Sequence, residues 1–211
     1  MLSPNVTDTM RSAFGAVVNC ARCTPAQREA LQETVALAVE IAREGREGRK
    51  IGTLFVVGDV EGVLARSRPL ILDPLAGHAA ELLDVRRPDF RETVKELAQL
   101  DGAFVVDGDG IFVSAGRYIE VDLQRTDFIP GLGTRHAAAV SITRTTRAIA
   151  VVVSQSSIVR VFAGGELRAE VLPELFLMAR ERAFAGAAEV RQLPEFGLTL
   201  ALAGDGAAPA A

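Results

Sequence analysis

The chain has 211 residues, of which 49% are apolar and 24% charged, and carries a formal charge of −4 at pH 7. This is ordinary globular composition and enough length for one sizeable core. The negative balance excludes a global basic field that would recruit nucleic acid, so a polyanionic ligand would have to be held by local arginines or backbone amides.

No apolar run reaches the roughly 18–20 residues of a membrane span. The start of the chain lacks the basic and apolar pattern of a secretory signal. A cytoplasmic protein without a membrane span is therefore expected. Cys20 and Cys23 form a single C-x-x-C, and a zinc site takes about four ligands, so reduced thiols near a helix start are the simpler reading.

In chain order, residues 1–24 show no clear pattern. Thr24 as N-cap and Pro25 at the first helical position open an amphipathic helix, with Leu31, Val35, Ala38, Val39 and Ala42 at helical spacing. Gly45 and Gly48 end it, and its plainest role is to cover one face of the domain that follows. "KIGTLFVVGD" reads as a buried strand closed at Gly58-Asp59. "EGVLARSRPLILDPLAGH" reads as loop with a short extended piece, because Pro69 and Pro74 oppose helix.

"DFRETVKELAQL" is a second amphipathic helix, with Phe90, Val94, Leu97 and Ala98 on one side. "GAFVVD" and "IFVSAG" are strands around the hairpin signal "DGDG", in which Asp107 and Asp109 serve the turn. "TRHAAAVSITRTT" is a helix opened by a glycine turn, "AIAVVVS" a buried strand, and "IVRVFAGGELRAEVL" a hairpin turned at Gly164-Gly165. A last helix is expected from Pro173 to about Ala185.

The order implies an α/β (α+β) chain with a mixed central sheet flanked by helices. The expected division is an N-terminal helical segment over 1–47, a main domain over 48–203 and a disordered tail over 204–211.

Four stretches carry candidate chemistry. In "GLGTRHAAA", Gly131 and Gly133 let backbone approach a ligand. Thr134 offers a hydroxyl and an amide, Arg135 a planar fork and His136 a further donor, at the start of a helix whose dipole favours anions. A capped helix with a structural histidine reads equally well. Asp101 in "QLDGAFVVD" lies before a buried strand, where a carboxylate at a sheet edge can hold Mg²⁺ or Mn²⁺ or take a proton; a plain Asp-Gly turn is the alternative. Ser154 and Gln155 close the strand "AIAVVVS" and either reach a ligand at the same edge or form a polar turn. Tyr118, the sole tyrosine, either stacks on a base or packs half-exposed.

Asp101-Gly102-Ala103, then Tyr118-Ile119, then "GLGTRHAAA", then Ser154 after a hydrophobic strand resemble, in that order, the diadenylate cyclase domain over about residues 48–171. "IGTLFVVGD" and "ITRTTRAIAVVVS" are most similar to its archaeal-type, stand-alone branch. The resemblance implies condensation of two ATP into cyclic di-AMP with release of two pyrophosphates. It implies Mn²⁺ or Mg²⁺ as cofactor and two sites facing each other in a homodimer or larger homo-oligomer.

Under it, Asp101 binds the metal and helps activate the ribose 3′-hydroxyl, while Gly102 and Ala103 let the nucleotide lie close to the backbone. Gly133, Thr134, Arg135 and His136 hold the triphosphate, Ser154 adds a phosphate contact with Gln155 beside it, and Tyr118 with Ile119 encloses the adenine. The chain departs from the family pattern at Gln155, where an acidic residue is usual, and at Ala137, where many members carry a third basic residue. The first departure points to an alternative, a catalytically weakened nucleotide-binding or regulatory module of the same fold.

Overall fold

A computed structural model describes residues 24–121 and 133–173 and the backbone of two further strands, 187–193 and 198–203. The chain divides into two compact units. The larger runs from Val18 to Pro173, and the other joins Met1–Val17 to Glu174–Ala211. The helix over Pro25–Glu44 is thus part of the same unit as the sheet that follows it.

Helix α1 (Pro25–Glu44) begins as its sequence dictates. The Thr24 hydroxyl accepts from the Gln27 amide at 3.2 Å, and the Gln27 side chain accepts from the Thr24 amide at 2.9 Å. This reciprocal capping satisfies two of the donors a helix start leaves orphaned. Leu31, Val35, Leu37, Val39 and Ile41 are buried, and the helix lies against β1, β5 and β6. It covers one face of the sheet, the plain role expected for it.

The strands are β1 (Thr53–Val57), β2 (Ser67–Pro69), β3 (Ala103–Val106), β4 (Phe112–Ile119), β5 (Ile149–Val153), β6 (Val159–Ala163) and β7 (Glu166–Val171). They form one mixed sheet in the order β2-β4-β3-β1-β5-β6-β7, in which only β1 and β3 run parallel. β1, β3 and β5 are buried at every position, as central strands covered on both faces must be. On one face Phe55 stacks on Phe104 at 5.1 Å, and Phe112 meets Phe90 edge-on at 5.1 Å. Each such ring removed from water contributes about 2–3 kcal/mol. The other face packs Leu54, Val56, Val105, Val152 and Phe162 against Ala139, Val140 and Ile142 of helix α4 (Thr134–Thr145).

The segment read as loop contains more structure than expected. A five-residue helix α2 (Val60–Leu64) follows β1, and just beyond that segment a 3₁₀ turn spans Ala80–Leu82. The two prolines restrict only their immediate neighbours, and α2 ends before Pro69; its fully buried Val63 anchors it to the sheet. Pro69 sits on the edge strand β2, where its missing donor leaves no ladder gap.

Helix α3 (Pro88–Leu97) starts with proline and joins α1 through charge. Arg91, 8% exposed, reaches Glu40 at 2.6 Å and Glu33 at 3.4 Å. Lys95, 6% exposed, lies between Glu40, Glu44 and Glu92. The "DGDG" turn is built by the Asp107 carboxylate, which accepts from the amides of Asp109 and Ile111, both at 2.9 Å.

In the second unit, strands β8 (Ala187–Leu193) and β9 (Leu198–Ala203) pair antiparallel, with Val190 opposite Ala201. No strands are expected here from the sequence, although "LTLALA" carries a strand-like alternation. The helix expected over 173–185, the tail over 204–211 and the cysteine pair lie outside the described residues.

Candidate functional site

The site is assembled by the ladder register. Leu54 pairs with Ala103, Thr53 with Val153, Val153 with Val159, and Ala103 with Arg117. One end of the sheet therefore gathers Gly52 before β1, Asp101-Gly102 before β3, Ser154-Gln155 after β5, Arg160 just inside β6 and Tyr118 near the end of β4. It is the amino end of the parallel pair β1 and β3 and the carboxyl end of β5. Helix α4 starts over the same end. Its N-cap Gly133 is extended and no side chain caps it, so its first amides and dipole are left to attract an anion.

The first turn of α4 reaches in two directions. Arg135 Nη2 lies 3.3 Å from Asp101 Oδ1, on the β3 side. His136 Nε2 lies 3.2 Å from Arg160 Nη1, on the β6 side. β1 and β5 run between these two contacts, so the helix start lies across the middle of the sheet end.

Asp101 is open to solvent, its side chain 82% exposed. Arg135 crosses the start of β1. A Cβ built on Gly52 would stand 3.2 Å from Arg135 Nη1 and 3.3 Å from the Val153 carbonyl oxygen. Gly52 thus provides the groove in which the guanidinium lies, a role that a lone glycine in "KIGTLF" does not announce.

His136 is buried, with its ring edge-on to Phe162 at 6.1 Å. Burial pushes its pKa below the ordinary 6.5; the charges of Arg160 and Arg135 push the same way, and Glu170 opposes them. Arg160 also escaped the sequence reading. The signal was a cation in the otherwise apolar "VRVF", two residues before Phe162 and so on the same face of the strand.

The remaining candidates separate into exposed and buried groups. Ser154 is half-buried: its hydroxyl lies 2.6 Å from that of Ser156 and accepts from the Ile158 amide at 3.3 Å, holding the turn in which Gln155 is exposed. Thr134 and Gly133 are exposed at the helix start.

Gly102 has φ +110, and a Cβ there would lie 2.5 Å from the Gly116 carbonyl carbon. Its missing side chain is demanded by β4 itself, without reference to a ligand. Ala103 and Ile119 are buried in the core cluster against α4. The expected Tyr118–Ile119 pair is not brought together on one surface, because neighbouring strand residues point to opposite faces. Only Tyr118 is open, 44% exposed, with Arg68 Cζ 4.6 Å from its ring centroid.

Among the described residues no group of three or more histidine, cysteine or acidic side chains could hold a metal ion by itself. A single exposed carboxylate beside an uncapped helix start fits the way Mg²⁺ or Mn²⁺ is held together with a nucleotide, by one or two carboxylates plus phosphate oxygens. No helix among the described residues is long and apolar enough to cross a membrane.

This arrangement has relatives. Residues 40–167 match the family model described as DisA bacterial checkpoint controller nucleotide-binding. A diadenylate cyclase of Methanocaldococcus jannaschii is 49% identical over 148 residues, which is 70% of this chain and 47% of that protein. A diadenylate cyclase of Haloferax volcanii is 37% identical over 172 residues, 81% of this chain and 62% of that protein. The chain thus spans about half to three fifths of the length of these curated relatives. The fold is also shared with a solved structure described as a hypothetical membrane spanning protein from Bacillus cereus. That match has a TM-score of 0.50 at 22% identity and covers 66% of this chain and 62% of the other.

Proposed function

This chain belongs to the DisA checkpoint controller nucleotide-binding family, the diadenylate cyclase domain family, and from that premise we propose that it is a cytoplasmic enzyme condensing two ATP into cyclic di-AMP and two pyrophosphates. The observation that carries the proposal is the two-way reach of the α4 start. Arg135 meets the Asp101 carboxylate and His136 meets Arg160 at one sheet end, bracketing uncapped amides.

In each half of the reaction a ribose 3′-hydroxyl oxygen forms a bond to the α-phosphorus of the other nucleotide, pyrophosphate leaves, and the hydroxyl proton is lost. Phosphoryl transfer asks mainly for positioning and charge neutralisation. Arg135, the His136 ring and the amides of Thr134 and Arg135 hold the phosphates, with Ser154 at the end of β5 as a further donor. Asp101 would hold Mn²⁺ or Mg²⁺ and help draw the proton from the hydroxyl. The ion, when bound, neutralises phosphate charge and lowers the pKa of the attacking hydroxyl. Tyr118 supplies the exposed aromatic surface for the adenine.

One sheet end holds one nucleotide, and a chain cannot turn its single site upon itself. Two copies facing each other, as a homodimer or within a larger assembly, complete the reaction. The test is incubation of the purified protein with ATP and Mn²⁺ or Mg²⁺, with products identified by mass spectrometry. Cyclic di-AMP and pyrophosphate are expected. ATP binding without cyclic product under either metal overturns the proposal and favours a second reading, a nucleotide-binding module with weakened chemistry. Gln155 is the observation behind that reading: an exposed neutral amide stands beside Ser154 where the family usually has a carboxylate.

A further inference from the structure

Among the described residues, His136 has one hydrogen-bonded neighbour, and that neighbour decides which of its nitrogens carries the proton. Arg160 Nη1 lies 3.2 Å from His136 Nε2. A guanidinium has donors only and stays charged, so Nε2 has to be the acceptor and the proton of a neutral ring has to sit on Nδ1. Arg160 is fixed in turn: its Nε donates to Glu170 Oε1 across the β6–β7 pair, in which Arg160 and Glu170 are opposite one another. Arg160 is nearly buried, with a side chain 12% exposed, and Phe162 bounds the imidazole edge-on. The charged groups facing the ring are Arg135 from its own helix, Arg160 from β6 and Glu170 from β7. No described residue takes the Nδ1 proton.

We propose that Arg160, braced by Glu170, is a positioning residue that locks His136 as the Nδ1–H tautomer and so presents that N–H to a phosphate oxygen of the nucleotide. This rests on the reading of the α4 start as the triphosphate site, but the tautomer itself does not. An imidazole free to choose would place its proton on either nitrogen and would present a lone pair to an anion part of the time. With Nε2 committed to a cation, the ring offers only a donor on its other side. Its one basic nitrogen is engaged by Arg160, so its part in the reaction is to bind and not to act as a base.

The experiment is a two-bond ¹H–¹⁵N spectrum of the full chain labelled with ¹⁵N-histidine, recorded without nucleotide. The chain has only two histidines, His78 and His136, and the His136→Asn variant assigns the signals. Wild type is expected to show a neutral His136 with Nδ1 protonated. Arg160→Met, which keeps much of the side-chain bulk and removes every donor, is expected to move the proton toward Nε2 and to raise the ATP dissociation constant about tenfold, the worth of one charge-assisted contact. Arg160→Lys, again a donor only, is expected to restore both within about twofold.

An Nε2–H tautomer in wild type, or an unchanged tautomer in a folded Arg160→Met, overturns the assignment. A shifted tautomer with unchanged ATP affinity overturns the presenting role. If Arg160→Met does not fold, Arg160→Gln and Glu170→Gln carry the comparison. Wild type that shows Nδ1–H but binds no ATP refutes the nucleotide site and leaves the tautomer lock standing.

Discussion

Arg135 and Asp101 face each other at 3.3 Å across the amino end of the sheet, one from the first turn of α4 and the other from the turn before β3. The pair brings into contact the cation proposed for phosphate and the carboxylate proposed for the metal. With Asp101 82% exposed and Arg135 35% exposed, such a pair contributes only about 0–1 kcal/mol to stability. Asp101→Asn should therefore leave urea unfolding within about 0.5 kcal/mol of wild type. Cyclic di-AMP formation should fall by at least about 100-fold, the scale of a lost acid–base or metal-holding group. ATP affinity, measured by calorimetry, should change little. Undiminished product from this variant would remove Asp101 from the chemistry.

The glycines at the site separate fold from function. Gly102→Ala places a Cβ 2.5 Å from the Gly116 backbone at φ +110 and should destabilise by about 3 kcal/mol or more. Gly133→Ala meets nothing within 4 Å, and losing a glycine N-cap should cost under about 1 kcal/mol. Gly52→Ala lies between. Its Cβ presses on Arg135 Nη1, a movable side-chain end, and on the fixed Val153 carbonyl. A stability loss of about 1 kcal/mol together with roughly tenfold weaker ATP binding is expected. Thermal melts and nucleotide titration of the three variants give the comparison. Equal ATP affinity for Gly52→Ala and wild type would show that the position of Arg135 over β1 is immaterial.

Much of this was legible in the sequence for a physical reason. Buried runs such as "TLFVV" and "IAVVV" and the amphipathic spacing of α1 and α3 are local patterns, and local patterns identify elements. Asp101, Arg135 and His136 stand in strings that alone fit a plain turn or a helix cap equally well, and it is their order along the chain, through the family resemblance, that singles them out. Gly52 and Arg160 were not legible, since they join the site only through the pairings Thr53–Val153 and Val152–Arg160, and register between distant strands leaves no mark in either strand alone. Tyr118 and Ile119 lie apart for a related cause. Placing them on a strand, rather than in a loop, sends their side chains to opposite faces. Helix α2 was missed because five residues are too few to show a period.

Acidification should expose the burial of His136. Its folded pKa is depressed below the ordinary 6.5 by desolvation first, then by Arg160 and Arg135. Below about pH 6.5 the unfolded chain takes up a proton that the folded chain refuses. The stabilisation is thus complete above 6.5 and is lost as the pH falls from there through the depressed folded value. Unfolding by urea at pH 7.5 and pH 5.5 should show a larger loss for wild type than for His136→Asn. Equal losses would mean that the histidine is not held neutral.

The Arg91 network joins α1 to α3, and its worth depends on how it is broken. Arg91 is 8% exposed and pairs with Glu40 and Glu33 while also donating to the Val85 carbonyl. Arg91→Ala takes the cation from Glu33 and the donor from the Val85 carbonyl, leaves Glu40 with Lys95 alone, and should destabilise by about 3 kcal/mol. Arg91→Met combined with Glu40→Met replaces charge by apolar volume and should recover most of that loss, since buried pairs gain little over well-packed hydrophobic replacements. Chemical denaturation of the single and double variants measures the difference. A double variant no more stable than Arg91→Ala would assign the network a net stabilising role.

Gln155 decides between a fast enzyme and a weakened one. The residue lies exposed in the turn after β5, with Ser154 and Ser156 hydroxyls 2.6 Å apart fixing the backbone on either side. A carboxylate introduced there would not have to be buried, so Gln155→Glu should leave the melting temperature within about 2 °C of wild type, as exposed substitutions do. It would add a negative charge at the end of β5, the same sheet end that holds Asp101, and with it a second oxygen donor of the kind Mg²⁺ or Mn²⁺ takes alongside phosphate. If the amide limits the chemistry, turnover should rise about tenfold or more, equivalent to about 1.4 kcal/mol of transition-state stabilisation. The gain should be larger at low metal concentration, where a second carboxylate matters most. Steady-state cyclic di-AMP production across a metal titration reads both effects. Unchanged turnover at every metal concentration would show that the neutral side chain is no handicap and that Asp101 suffices as the acidic group of the site.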